Sequence, residues 1–223
     1  MTSDRHAHSG WAARRAWVFG ALSIAAALTG ACGAGGQLEG TSNSYLIISS
    51  LQGSSGAKPA ELSSVLASDV RTLVKVTDAA GAQTQQPTVF EDGGTVSFAL
   101  GMKDPGSANQ PTKPTSTNFI TVTRYHVDYI RSDGHNVQGV DVPYSFDGAA
   151  TVTVTDVGGS VALTLVRVQA KSEVPLITLV NGGGAGTIST IARVTFYGAD
   201  QAGRVVTVVG QISVNFSDWG DPQ

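Results

Sequence analysis

The side chains able to do chemistry are few and widely spaced in this chain of 223 residues. Of four histidines, His6 and His8 lie near the N-terminus, which leaves His126 and His135. His126 and Asp128 are two residues apart in a stretch that reads as a strand. They therefore share a face, as a base and the acid that orients it would. A charge pair on a solvated sheet surface has the same spacing and is the plainer reading. His135 follows Asp133-Gly134 and is most simply a turn residue. No serine sits in a Gly-x-Ser-x-Gly elbow. Gly182-Gly183-Gly184-Ala185-Gly186 follows an apolar run, where a phosphate-cradling loop would lie. Its spacing fits neither common nucleotide motif, no lysine follows, and the next residues are β-branched rather than helix-opening. Asp141, Asp147, Asp200, Asp218 and Asp221 fall in expected turns, and turn chemistry accounts for them. No loop has the ligand count of a calcium motif. Tyr125, Tyr129, Tyr144, Phe146 and Trp219 are candidates for an aromatic surface that takes a glycan or a partner; core packing and strand propensity explain them equally well. These residues nominate no catalytic, cofactor-binding or metal site.

The most informative stretch is Leu28-Thr29-Gly30-Ala31-Cys32, which holds the only cysteine. Before it, Met1 to Arg15 is polar, with Arg5, Arg14 and Arg15 against Asp4. Ala16 to Leu28 is apolar, and Thr29 to Ala31 is small. That order is the order of a secretory signal peptide. The uncharged run from Ala16 to Ala31 is 16 residues, short of the roughly 20 a spanning helix needs. The end of this leader resembles the lipobox of bacterial lipoproteins. The resemblance implies cleavage before Cys32 and a diacylglycerol on its thiol. Gly30 and Ala31 fit the small residues expected there, whereas Thr29 stands where the family usually has leucine; the leucine is Leu28, one place early. An ordinary signal peptide cleaved near Ala31 is the alternative. Two or more acyl chains hold a membrane firmly where one does not. Lipidation of Cys32 would therefore make the membrane a partner without any apolar face on the domain. Gly33, not aspartate, follows Cys32, which in a cell with two membranes implies sorting to the outer one. Arg14-Arg15 faintly resembles a twin-arginine signal.

Without residues 1–31, the 14 basic and 17 acidic residues become 11 and 16, a formal charge of −5. Nucleic acid and anionic headgroups need clustered Lys and Arg, so neither is an expected partner. With Cys32 alone, internal disulfides and cysteine-based zinc sites are excluded. The fold must rest on its core, which the remaining 192 residues are long enough to bury.

The elements read as β throughout. Residues 32–44, rich in Gly, Ser, Thr and Asn, read as a tether of about 20 Å coil length. Strands are expected over Tyr45–Leu51, Val70–Val76, Thr95–Met102, Phe119–Arg131, Val137–Val142, Ala150–Thr155 and Val161–Val168. Pro175–Val180 fits a strand or a helical turn. Asp133-Gly134 reads as a tight hairpin that returns Val137–Val142 beside Phe119–Arg131. The clearest hairpin joins Ile188–Tyr197 to Val205–Phe216 across Asp200-Gln201-Ala202-Gly203. Its second arm alternates Val206, Val208, Ile212, Val214 and Phe216 against Thr207, Gln211, Ser213 and Asn215. No sustained 3.6-residue period occurs.

About nine strand candidates with turns between them predict an all-β, antiparallel sandwich. The Asp-x-Ala-Gly turns after Val76 and after Tyr197 resemble strand–turn–strand ends of bacterial immunoglobulin-like domains, over Val70 to Gly81 and Ile191 to Phe216. The stretches Tyr125 to Tyr144 and Phe196 to Pro222 are similar to uncharacterised envelope proteins, a resemblance that implies no activity. The expected layout is a signal peptide at 1–31, a tether at 32–44 and a sandwich at 45–223. The Pro-rich segment at 105–118 is a possible split between two subdomains. The functional expectation is a non-enzymatic envelope protein, anchored through Cys32, that contacts envelope proteins or glycans. A carbohydrate-binding module using exposed aromatics, and an enzyme centred on His126 and Asp128, are the alternatives.

Overall fold

The computed structural model describes residues 41–219. The leader and Cys32 lie outside the described residues. Strands make up 58% of the described residues and helix 8%, which fixes the class as mostly β. In chain order they are β1 (Ser44–Ser54), β2 (Val65–Asp69), β3 (Thr72–Thr77), β4 (Gln83–Thr88), β5 (Asp92–Met102), β6 (Gly106–Ser107), β7 (Gln110–Pro111) and β8 (Ile120–Ile130). There follow β9 (Phe146–Val154), β10 (Gly159–Val166), a one-turn helix α1 (Val168–Lys171), β11 (Thr187–Asp200) and β12 (Val205–Ser217).

Three strands pair in the order β1-β5-β10 and five in the order β2-β12-β11-β8-β9. One of the sheets curls as a half-barrel. All neighbours are antiparallel except β2, which runs parallel to β12. Strands from both sides of 105–118 thus share each of these two sheets. Alternation puts Val96 and Phe98 of β5 inward, opposite Val194, Phe196, Ile212, Val214 and Phe216 of β11 and β12. The rings of Phe98 and Phe196 meet edge to face at 5.0 Å, one sheet against the other. Before β1 begins, Ser42 is already buried and the Lys103 amide donates to the Asn43 carbonyl.

The two Asp-x-Ala-Gly turns are the same turn twice. Asp78 Oδ1 accepts from the amides of Ala80 and Ala82, both at 2.9 Å. Asp200 Oδ1 accepts from Ala202 at 3.0 Å and Arg204 at 2.9 Å. Gly81 and Gly203 take φ of 85° and 83°, the left-handed region glycine enters freely. This side-chain bonding is why Asp, and not merely a polar residue, opens each hairpin.

One expectation is corrected, and two strands, β2 and β4, were not expected. Val137–Val142 forms no strand. The Val137 carbonyl accepts from the amides of Val140, Asp141 and Val142, and Asp141 Oδ2 accepts from the Val137 amide at 3.0 Å. That self-contained turn leaves Val137 and Val140 exposed, and β9 pairs with β8 instead. β2 precedes Val70 and has Leu66, Ser68 and Asp69 buried; its polar buried positions hid the alternation. β4, Gln83–Thr88, carries no apolar face and is held by the ladder to β3 alone. Of the two options for Pro175–Val180, the helical turn is the one formed. Leu176 and Leu179, three apart, are both fully buried.

Candidate functional site

Two groups of polar side chains gather in the described domain. The first lies on the outer face of the five-stranded sheet. Alternation along β8 points Arg124, His126 and Asp128 outward while Tyr125, Val127 and Tyr129 point inward. Register places His126 opposite Asp147 of β9, and Asp128 opposite Arg193 of β11. His126 Nδ1 lies 3.1 Å from Asp147 Oδ1, and Nε2 lies 3.2 Å from Asp128 Oδ1. Arg193 donates to Asp128 Oδ2 at 3.1 Å, and Arg124 stacks over the Tyr197 ring at 3.9 Å. The expected His126–Asp128 pair is therefore present. Both ring nitrogens face carboxylates, so neither is turned to a nucleophile. Among the described residues no hydroxyl or thiol bonds to the ring, the arrangement nucleophilic catalysis requires. These are surface ion pairs, individually weak.

The second group was not anticipated. Asp92 heads β5 and Lys171 ends α1; both side chains are almost completely buried. Lys171 Nζ donates to Asp92 Oδ1 and to the Asp69 carbonyl, each at 2.8 Å. The Gly56 amide donates to Asp92 Oδ1 at 2.8 Å, and Ser68 Oγ donates to Oδ2 at 2.5 Å. Three other chain segments, one of them β2 of the five-stranded sheet, converge on this carboxyl group of β5. Burial raises the Asp92 pKa, and the Lys171 charge and the hydrogen bonds offset only part of that rise.

Next to this cluster, a cleft of about 320 Å³ is lined by Ser55, Lys58, Glu61, Ser63, Asp69 and Trp219, among others. Asp69 accepts from Thr72 Oγ1 at 2.6 Å and from the Trp219 amide at 3.1 Å. The indole N–H donates to the Ser68 carbonyl at 3.1 Å, so the ring is fixed at the cleft edge. Burial raises the Asp69 pKa, outweighing the hydrogen bonds that favour its charged form.

The remaining nominated residues are placed as follows. Tyr125, Tyr129 and Phe146 are core residues, not surface, whereas Tyr144 and Trp219 are exposed. The Tyr129 hydroxyl donates to the Leu165 carbonyl at 2.5 Å, and the Tyr125 hydroxyl accepts from the Thr164 amide at 3.0 Å. β10 is an edge strand, so these phenols satisfy backbone groups that no further strand meets. Burial holds the Tyr129 phenol protonated, as a donor must be. Gly182 to Gly186 turns directly into β11, with no helix N-terminus to receive a phosphate. Asp141 and Asp200 close turns, and Asp218 accepts from the Asn181 amide. Among the described residues no cluster of three or more His, Cys, Asp or Glu is arranged to hold a metal, and no helix is long and apolar enough to cross a membrane. His135 sits in its turn, its amide on Asp133 Oδ1 at 3.1 Å.

One signal would have found Asp92. Carrying the β5 alternation back from Phe98 and Val96 puts Asp92 on the inward face, where a charge needs a partner. Nothing local names that partner, since Lys171 is 79 residues away. No family model, curated protein or solved structure matches the chain.

Proposed function

We propose that this chain is a lipid-anchored protein of a bacterial envelope. In this reading its exported part is a non-enzymatic, immunoglobulin-like sandwich that serves as an interaction or structural module. The anchor reading rests on the leader ending at Cys32. The non-enzymatic reading rests on one observation: the clustered ionisable groups bond to one another and to the backbone. His126 lies between two carboxylates, and Lys171, Asp92 and Asp69 tie β2, β5 and α1 together. Two facing sheets with Asp-anchored hairpins support the immunoglobulin-like reading. The test is the intact mass of native protein extracted from the membranes of the producing cell, run beside Cys32→Ser. A chain beginning at Cys32 with acyl chains added, lost in the variant, is expected. Soluble, unlipidated protein would overturn the anchor.

A second reading, glycan binding, is favoured by the cleft at Trp219, whose fixed indole stands beside hydroxyl and carboxylate groups. It predicts glycan-array binding that Trp219→Ala abolishes while the variant still unfolds cooperatively, with its midpoint lowered only by the lost bond to the Ser68 carbonyl. Silence across the array would remove it.

A further inference from the structure

We propose that Lys171 and Asp92 become joined by an isopeptide bond, formed by the folded domain itself from the Lys171 amine and the Asp92 side-chain carboxyl. Everything needed is on the two side chains and their immediate partners. Lys171 Nζ is 2.8 Å from Asp92 Oδ1, a hydrogen bond that holds the amine against the carboxyl group whose carbon it would attack. Both side chains are almost wholly removed from solvent, at 1% and 0% exposure. In such a site a charged pair is costly, and moving one proton from the ammonium to the carboxylate leaves a neutral amine beside a neutral acid at no change in net charge. That neutral pair is the reactive one. The raised Asp92 pKa is in keeping with it.

The surrounding bonds suit the reaction. The Asp69 carbonyl accepts from Lys171 Nζ and so orients the amine. The Gly56 amide donates to Asp92 Oδ1 and the Ser68 hydroxyl to Oδ2, so the oxygen that remains as carbonyl has a donor for the negative charge that develops on it when the amine adds, while the other oxygen departs. The nitrogen lone pair attacks Asp92 Cγ, a C–N bond forms and one C–O bond breaks. The departing oxygen leaves as water, carrying the carboxyl proton and one amine proton. No oxidant, reductant or activating group enters. Condensation of free amines with acids in water is unfavourable. Here the reactants are held at an effective concentration that reaches about 10⁵–10⁸ M in well-oriented pairs, and bulk water is excluded. With Cys32 as the sole cysteine, no disulfide can cross-link the domain. The amide would instead close a loop 79 residues apart between β5 and α1.

The experiment is a tryptic map of the full chain, unfolded in denaturant before digestion. Residues 76–103 hold Asp92 and lack an internal tryptic site; 168–171 and 172–193 flank Lys171. The bond predicts one species joining 76–103 to 168–193, about 18 Da below the sum of the two, with no cleavage after Lys171. Lys171→Arg, which keeps a buried cation but has no primary amine to condense, must abolish that species. Free 76–103 together with separate 168–171 and 172–193 would overturn the proposal. So would a water lost from 76–103 alone, which marks succinimide formation at Asp92-Gly93.

Discussion

Replacing Tyr129 by phenylalanine tests how the free edge of β10 is closed. The substitution keeps the ring, which packs edge to face on Phe216 at 5.7 Å, and removes only the hydroxyl bonded to the Leu165 carbonyl. Leu165 lies where the β10–β5 register shifts, between Thr164 and Val166. Its carbonyl sits in a dry core, with Tyr129 and Leu165 both almost fully buried. Leaving a buried acceptor without its donor costs about 1–3 kcal/mol, so a loss near 2 kcal/mol is expected. With a urea slope of about 2 kcal/mol/M, the unfolding midpoint should fall by about 1 M. Tyr125→Phe should cost less, near 1 kcal/mol, because the Thr164 amide it frees is only part-buried. That amide should then exchange with solvent faster in Tyr125→Phe than in the wild type, while Tyr129→Phe leaves it protected. Urea titration followed by tryptophan fluorescence reads the first effect and amide hydrogen exchange the second. A Tyr129→Phe midpoint within about 0.2 M of the wild type would refute the idea that the phenols close the edge.

Three further outcomes follow from the same contacts. Gly148→Ala should cost about 1–3 kcal/mol by overpacking, because a Cβ there would run into the Tyr125 ring; a neutral urea midpoint would mean the ring moves aside freely. Asp69 has a folded-state pKa raised by burial above its unfolded value near 3.9, so its contribution to stability is full below that value and is lost as pH rises through the folded pKa. The stability of wild type relative to Asp69→Asn should therefore decline from about pH 4 upward and then level off, and parallel pH profiles would contradict this. His126→Ala removes two part-solvated contacts to Asp128 and Asp147, while Asp128 keeps Arg193. Its cost should be under about 1 kcal/mol, and a loss of several kcal/mol would show the cluster to be a structural brace.

How much of this was legible in the sequence differs by element. The β11–β12 hairpin was readable almost to the residue, since its alternation is long and Asp200 opens a turn with a side-chain signature. β5 and β8 were readable for the same reason. β2 and β4 were not, because neither has a run of apolar residues on one face. The return of the chain after β8 is hidden in the sequence because Val137, Val140 and Val142 look like strand residues, whereas the local bonds of Asp141 and the Val137 carbonyl hold them in a turn. Of the candidate site, His126 with Asp128 followed from a spacing of two, but the second carboxylate, Asp147, came from pairing with β9.

By itself the sequence determined the β class, the two Asp-anchored turns and the faces of the long strands. Each is set within a few residues, by side-chain alternation and by side chains bonding to nearby backbone. Tertiary structure alone decided that β2 lies parallel to β12, that Tyr125 and Tyr129 close an edge instead of forming a surface, and that Lys171 meets Asp92. These depend on which distant segments share the limited dry interior, where a buried polar group must find a partner wherever in the chain it stands.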